Sequence, residues 1–106
     1  MKGIYFINDK IQLNGLPMQE SFQLQEEALV EFLNLHDIQI VAINPDQLNS
    51  YYTILHALLY DLKETGIQFD CLACYSQAAL DDFINTYPAR WLILKSYFEN
   101  ILPIHA

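Results

Sequence analysis

The sequence predicts a three-layer α/β/α domain with a four-stranded, mostly parallel sheet. Short apolar runs alternate along the chain with longer segments in which apolar residues recur at helical spacing. This alternation is typical of helices that cover a parallel sheet. Hydrophobic residues make up 53 % of the 106 positions, and three positions are glycine. Because such a chain can bury a core, it is not a disordered protein, and we expect residues 1–106 to form one domain.

The first half of the chain contains two predicted strands and one predicted helix. Residues 2–7 predict a central strand, and residues 8–17, with an Asn-Gly pair and a proline, predict a loop. Ser21 is a suitable N-cap because its hydroxyl can accept a hydrogen bond from a free N–H group at the helix start. The helix should end at His36, and residues 38–43 predict the second strand. The predicted buried stripe of this first helix consists of Leu24, Ala28, Leu29, Phe32 and Leu35.

The second half continues the same alternation. Ser50 is the predicted cap of a second helix, and Gly66 supplies the left-handed residue that ends it. Residues 69–75 predict a third strand, and Ser76 predicts the cap of a third helix that stops at Pro88. The apolar side of the second helix should contain Ile54, Leu55, Leu58, Leu59 and Leu62.

The last segment has two interpretations. Residues 91–94 form a short apolar run that fits either a fourth strand or the first turns of a final helix. Periodicity does not separate these two structures over so few residues. We favour a strand at 91–94, followed by a short helical segment at 97–102.

The charge balance argues against direct binding of nucleic acid. The net charge is −8, from 13 acidic and five basic residues. Nucleic-acid binders need clustered lysine and arginine to replace the counterions of phosphate. Here the basic residues are scattered singly: Lys2, Lys10, Lys63, Arg90 and Lys95. The acidity serves solubility or, alternatively, forms an acidic face that mimics nucleic acid or meets a basic partner.

The sequence predicts a cytoplasmic protein without membrane contact. No apolar run approaches the roughly 20 residues that a bilayer span requires. The N-terminus lacks the charged, apolar and small-residue pattern of a secretory signal.

One segment carries a resemblance to a known family. Tyr5 lies in the opening strand, Ser21 and Gln25 follow at a spacing of four, and Glu-Ala-Leu occupies 27–29. This arrangement resembles the N-terminal catalytic domain of serine recombinases (resolvases and invertases). In that family a strand ending Tyr-x-Arg-x-Ser precedes a helix beginning Ser-x-x-x-Gln. The resemblance covers about residues 2–95 and implies a resolvase-like fold. Further counterparts of family elements are residues 38–43, 55–63 and 69–76.

The departures from the family pattern fall at its chemistry. The family's arginine and nucleophilic serine correspond here to Ile7 and Asp9, and its arginine-rich motif corresponds to Ala-Ala-Leu-Asp-Asp at 78–82. Phosphoryl transfer needs a nucleophile and fixed positive charge around the reacting oxygens. Ile7 and Asp9 are therefore predicted to mark a degenerate site, and we expect no catalytic residue and no DNA cleavage.

Two cysteines offer an alternative chemistry. Cys71 and Cys74 have the spacing of a thiol–disulfide motif. Such motifs usually open a helix, whereas these residues fall within the third predicted strand, where an odd separation places side chains on opposite faces. Two buried apolar residues are the favoured interpretation, and a redox pair is the alternative.

Acidic residues suggest a second enzymatic alternative. Several could gather at the carboxyl edge of a parallel sheet, where ligands of open α/β sheets bind. They are Asp9, Asp46, Asp70, Asp81 and Asp82. A receiver-like phosphotransfer domain also needs an aspartate at the end of the third strand, where Tyr75 and Ser76 stand.

No cofactor or metal is predicted. The three glycines lie too far apart for a phosphate loop. The histidines are His36, His56 and His105, and none forms a metal-ligand spacing with a carboxylate.

The sequence hypothesis is a non-catalytic, resolvase-like domain that acts by protein–protein interaction, with a homodimer as the expected form. Its tyrosines support either a self-association surface or ordinary packing at the core edge. The candidates are Tyr51, Tyr52, Tyr60, Tyr87 and Tyr97. The alternatives are a thiol redox or aspartate phosphotransfer enzyme, and an acidic phage or mobile-element inhibitor that mimics nucleic acid.

Overall fold

A computed structural model describes residues 1–105 and confirms the predicted α/β architecture. The sheet of this part of the chain has four parallel strands in the order β2-β1-β3-β4. The strands are β1 (Lys2–Tyr5), β2 (Gln39–Ile40), β3 (Phe69–Cys74) and β4 (Phe98–Pro103). The helices are α1 (Met18–Leu35), α2 (Leu55–Thr65), α3 (Ala78–Thr86) and α4 (Pro88–Lys95), with a 3-10 turn at Leu13–Gly15.

The helices divide unequally between the two faces of the sheet. α2, α3 and α4 bury their apolar residues on one face, against Ile4, Leu72 and Cys74. α1 buries Leu29 and Leu33 on the other face, against strand residues that include Cys71 and Ala73. Within residues 1–105, α1 is the one helix on that second face, so the sheet is covered more thinly there.

β1 and β3 approach each other closely at Gly3. Gly3 pairs with Cys71 in the register of the two strands. A Cβ atom at Gly3 would lie 2.7 Å from Cys71 Sγ and 3.0 Å from a methyl carbon of Ile38. Glycine is therefore required here by space, because any side chain would collide with the core.

β2 is shorter than the predicted strand at 38–43, but its pairing with β1 resumes later in the chain. The Tyr52 N–H donates to Tyr5 O at 3.0 Å, and the Ile7 N–H donates to Tyr52 O at 2.9 Å. Residues 42–51 leave the sheet between these two points of pairing. A local pattern cannot indicate that a strand is interrupted and then continued by one distant residue.

The serines predicted as N-caps have other roles. α1 begins at Met18, so Ser21 lies inside the helix and is fully buried. Ser50 Oγ is hydrogen-bonded to Tyr5 OH at 2.8 Å, and α2 begins only at Leu55. Ser76 lies before the cap position of α3, and its carbonyl accepts the Ala79 N–H. For Ser21 and Ser50, hydrogen bonds to distant residues replace the local capping role of the side chain.

The buried centre of α1 also differs from the predicted stripe. It consists of Ser21, Gln25, Leu29 and Leu33, whereas Leu35 is 73 % exposed. Ser21 and Gln25 are buried although they are polar, and a search for apolar residues alone does not find them. The predicted stripe therefore lies to one side of the residues that are buried in the structure. In α2, by contrast, the predicted apolar side is buried except for Ile54.

The prediction of a strand at 91–94 and a helix at 97–102 is wrong. Residues 91–94 lie in α4 and not in a strand, and residues 97–102 lie mainly in β4 and not in a helix. α3 ends before Pro88, as predicted, but Pro88 then begins α4 at once because its fixed φ and missing N–H suit the first helical turn. Gly66 ends α2 with φ of 65°, as predicted. None of the helices in residues 1–105 is both long and apolar enough to cross a membrane.

Candidate functional site

The topology points to one crevice, at the carboxyl ends of β1 and β3. β1 connects to β2 on one side of it, and β3 connects to β4 on the other side. In open α/β sheets, ligands bind where the connections diverge in this way. Two segments leave the sheet at this crevice. They are the loop at residues 8–17, which follows β1, and residues 75–77, which follow β3.

Buried polar side chains of α1 hold the loop that borders the crevice. The Asn8 N–H donates to Gln25 Oε1 at 3.0 Å, and Gln25 Nε2 donates to Asn8 O at 2.8 Å. Ser21 Oγ donates to Ile11 O at 2.7 Å and accepts the Leu13 N–H at 3.1 Å. These bonds satisfy backbone groups that the loop would otherwise bury without partners.

Asn8 spans the crevice itself. Its Nδ2 donates to Ala79 O, in the first turn of α3, at 3.0 Å, and its Oδ1 accepts the Lys10 N–H at 2.9 Å. Asn8 therefore ties the segment after β1 to α3 across the carboxyl edge of the sheet. Sequence reasoning missed Asn8. A signal for the site did exist, since a glutamine in the apolar phase of a helix indicates a buried hydrogen bond.

The two predicted degenerate positions do not come together in this crevice. Ile7 is completely buried and packs in the core on the α1 face. Asp9 is exposed at the surface of the loop. An apolar side chain and an outward carboxylate thus flank Asn8, and neither can stabilise a phosphate.

The acidic residues do not form the expected pocket. Asp70 lies near the amino end of β3, where its carboxylate accepts the Lys2 N–H at 2.7 Å. Asp9 and Asp46 are exposed in loops, while the two aspartates at 81–82 are exposed on α3. Within residues 1–105, no group of three or more histidine, cysteine, aspartate or glutamate residues is arranged to hold a metal ion.

Both cysteines lie in β3, on opposite faces of the sheet. Cys71 packs against the α1 face and Cys74 against the face of the other helices. Burial raises the pKa of the Cys71 thiol, and it raises the pKa of the Cys74 thiol to about 12. A disulfide requires the two Cβ atoms within roughly 4.5 Å of each other and pointing together. This geometry favours the interpretation as buried apolar residues.

A second polar cluster fastens residues 42–51 to α2. Tyr52 OH donates to Asp61 Oδ2 at 2.7 Å, and Asn44 Nδ2 approaches the same oxygen at 3.4 Å. Burial and this hydrogen bond raise the pKa of Tyr52. Tyr52 is buried, which favours core packing over a self-association surface at this position, whereas Tyr60 beside the cluster is exposed. The cluster stabilises a neutral phenol and so does not create a nucleophile.

The three histidines lie apart from one another. His36 follows α1, as predicted, and its ring lies 4.2 Å from that of Phe32. His56 is hydrogen-bonded to Arg90 at 3.1 Å. The His105 ring stacks on that of Tyr75, and the backbone N–H of His105 donates to Tyr75 O at 2.8 Å. These contacts hold His105 against the residue that follows β3.

Comparisons with protein-family models, with curated proteins and with solved structures find no match for this chain. The resemblance to serine recombinases therefore stays an expectation from the sequence pattern, chiefly that of Tyr5 and residues 21–29.

Proposed function

We propose that this chain is a non-catalytic, resolvase-like α/β domain that acts by binding another protein. The observation that carries the proposal is the hydrogen bond from Asn8 Nδ2 to Ala79 O. This bond links the segment after β1 to α3 across the carboxyl edge of the sheet, where ligands of open α/β sheets bind. Ile7 is buried and Asp9 is an exposed carboxylate, so the positions that correspond to the family's arginine and serine supply neither a fixed cation nor a nucleophile.

The outer edge of β4 supports a homodimer as one form of this function. β4 pairs with β3 along Phe98–Pro103, and no strand within residues 1–105 pairs with its other side. The backbone groups of an open edge can pair with a second chain. Light scattering of the purified protein is expected to give twice the monomer mass of 12.3 kDa. A mass of 12.3 kDa at all concentrations would remove the homodimer.

Two assays test the absence of catalysis. The protein is incubated with supercoiled plasmid and with acetyl phosphate, and products are separated under denaturing conditions. We expect no nicked DNA, no covalent protein–DNA adduct and no phosphorylated protein. A serine–DNA adduct or an acyl phosphate on an aspartate would refute the proposal.

Protein binding itself is tested by affinity capture, followed by reconstitution with the purified partner. Saturable binding of one defined protein is the expected result. Complete failure to find such a partner in a source that expresses this chain would count against the proposal. If DNA competes with this chain for a DNA-binding partner, the acidic-mimic alternative would replace the resolvase-like interpretation.

A further inference from the structure

The two flanks of α1 differ in what they contact. Phe22 lies against Tyr51, with ring centroids 5.5 Å apart, and Val30 and Leu33 line a depression with Ile40 of β2. This flank therefore faces β2. Because successive helical residues are about 100° apart, the opposite flank faces β3 and β4. That opposite flank carries Leu24, Ala28, Phe32 and Leu35.

The sheet continues the apolar surface of this second flank. Leu102 pairs with Ala73, and Leu102 and Ile104 pack on the α1-face core while remaining only partly buried. Leu24 and Ala28 are also partly buried, and Leu35 is largely exposed. These residues form a partly exposed apolar surface on this face of the sheet, beside α1 and β4, which we call the groove. Among the helices of residues 1–105, none but α1 packs on this face.

Acidic side chains border the groove. Glu20, Glu27 and Glu31 lie on the solvent side of the apolar flank, and none of the 18 residues of α1 is basic. A shallow depression of about 570 Å³ lies on the solvent side of α1, and all of its lining residues, Glu27 and Glu31 among them, belong to this helix. Glu27 accepts a hydrogen bond from Gln23 Nε2 at 3.1 Å, and no described lysine or arginine neutralises these glutamates.

We propose that this groove binds an amphipathic helix of a partner protein, with apolar residues toward Leu24 and Leu102 and with lysine or arginine toward the glutamate rim. The inference rests on the proposed function and names the chemistry of the partner. Helix-in-groove recognition uses apolar anchors at helical spacing, and complementary charge selects the partner. A second copy would bring one acidic rim against another, and an anionic membrane would be repelled in the same way.

The experiment uses a synthetic amphipathic peptide of leucine and lysine, about five turns long. Two peptides serve as controls: one of the same composition without helical periodicity, and one with glutamate in place of lysine. Calorimetry measures the Kd, and NMR follows the methyl groups of the protein. We expect the Leu/Lys helix to bind most tightly and to shift Leu24, Leu35 and Leu102 more than Leu92 of α4.

Matched variants separate the groove from general charge attraction. Replacing Glu27 and Glu31 by glutamine should weaken binding by about tenfold, since two exposed charge pairs with the lysines of the peptide are lost. Glu64→Gln with Glu99→Gln, which changes the charge equally elsewhere, should leave the Kd unchanged. Leu35→Ser should weaken binding by roughly tenfold, because it removes an apolar contact that the bound peptide would bury. Leu92→Ser, at another exposed leucine, should have no effect.

Several outcomes would overturn the inference. These are equal binding of the non-periodic peptide, equal weakening by the Glu64 and Glu99 changes, loss of a homodimer on Leu35→Ser, or binding to phosphatidylserine vesicles. If a purified partner still binds the Leu35 and glutamate variants with unchanged Kd, this groove is excluded while the proposed function stands. All of the substituted residues are exposed, so the variants should fold. Circular dichroism checks that each variant is folded before its binding is measured.

Discussion

Gln25 pairs with the backbone of Asn8 through both ends of its side-chain amide. Gln25 Oε1 accepts the Asn8 N–H at 3.0 Å, while Nε2 donates to Asn8 O at 2.8 Å and approaches Ser21 O at 3.3 Å. The glutamine thus acts as an additional strand partner at the tip of β1. It fixes the direction in which the chain leaves the sheet, and this direction brings the Asn8 side chain to α3.

We expect Gln25→Leu to destabilise the protein by about 2–3 kcal/mol. Leucine has a similar size, so the loss comes mainly from two backbone groups that stay buried without partners. The free energy of unfolding is measured by urea denaturation. Gln23→Leu, at an exposed position of the same helix, is the control and should change stability by less than about 0.5 kcal/mol. Equal stability of the two variants would show that the pair does not stabilise the loop.

The signals along the chain differ in how well they predict the structure. Apolar runs identify β1 and β3, and Gly66 identifies the end of α2, because these signals are local and agree with the tertiary structure. Ser21 illustrates the limit. Its local preference predicts a helix cap, but its partners, Ile11 O and the Leu13 N–H, belong to a loop that precedes the helix and folds back on it.

We predicted a strand at 91–94 and a helix at 97–102, and the structure has the reverse because long-range contacts decide here too. Residues 91–94 are apolar enough for a strand, but the edge position beside β3 is taken by Phe98–Pro103. Which segment pairs with β3 depends on a contact far away in sequence, so periodicity alone could not decide it. At the candidate site, the sequence predicts the lack of chemistry at Ile7 and Asp9. It does not indicate that the side chain of the intervening Asn8 is hydrogen-bonded to α3.

Gly3→Ala should destabilise the protein by about 1–3 kcal/mol, the usual cost of forcing extra volume into a packed core. The new Cβ atom would lie 2.7 Å from Cys71 Sγ and 3.2 Å from Cys71 O. Combining it with Cys71→Ala removes the sulfur but not the carbonyl, so we expect partial rescue. A double-mutant cycle of urea denaturation measures this coupling, and simple additivity of the two changes would contradict the proposed clash.

Tyr52→Phe should cost about 1.5–3 kcal/mol, because the phenol donates to the carboxylate of Asp61 and hydrogen bonds to charged groups lie in this range. The backbone pairing of residue 52 with β1 is retained in this variant, so the fold should persist. Thermal unfolding compares it with Tyr60→Phe, whose side chain is exposed. A Tyr60→Phe change of equal size would mean that the hydrogen bond contributes nothing specific.

The thiols should be unreactive in the native protein. Cys71 and Cys74 are both buried, and only the thiolate attacks a disulfide reagent. We expect labelling by a chromogenic disulfide at pH 8 to be slow, and to become fast in denaturing urea. Rapid native labelling, or an intrachain disulfide found by mass spectrometry after mild oxidation, would instead support the redox alternative.

Stability should fall in alkali because Cys74 must stay protonated in the core. Burial raises its pKa from 9.0 to about 12. Above pH 9 the unfolded chain therefore loses this proton while the folded chain keeps it. Each such group lowers the free energy of unfolding by about 1.4 kcal/mol per pH unit between the two pKa values, and below pH 9 its stabilising effect is fully present.

Cys74→Ala isolates this effect, since alanine has no proton to lose and Cys71 is common to both proteins. The variant is expected to be less stable at pH 8 because it leaves a small cavity. By pH 10 its deficit relative to the unmodified protein should shrink by about 1.4 kcal/mol, as the unfolded thiol ionises. Urea denaturation at pH 8, 9 and 10 under reducing conditions provides the comparison. A constant deficit across this range would mean that Cys74 ionises equally in the folded and unfolded chains.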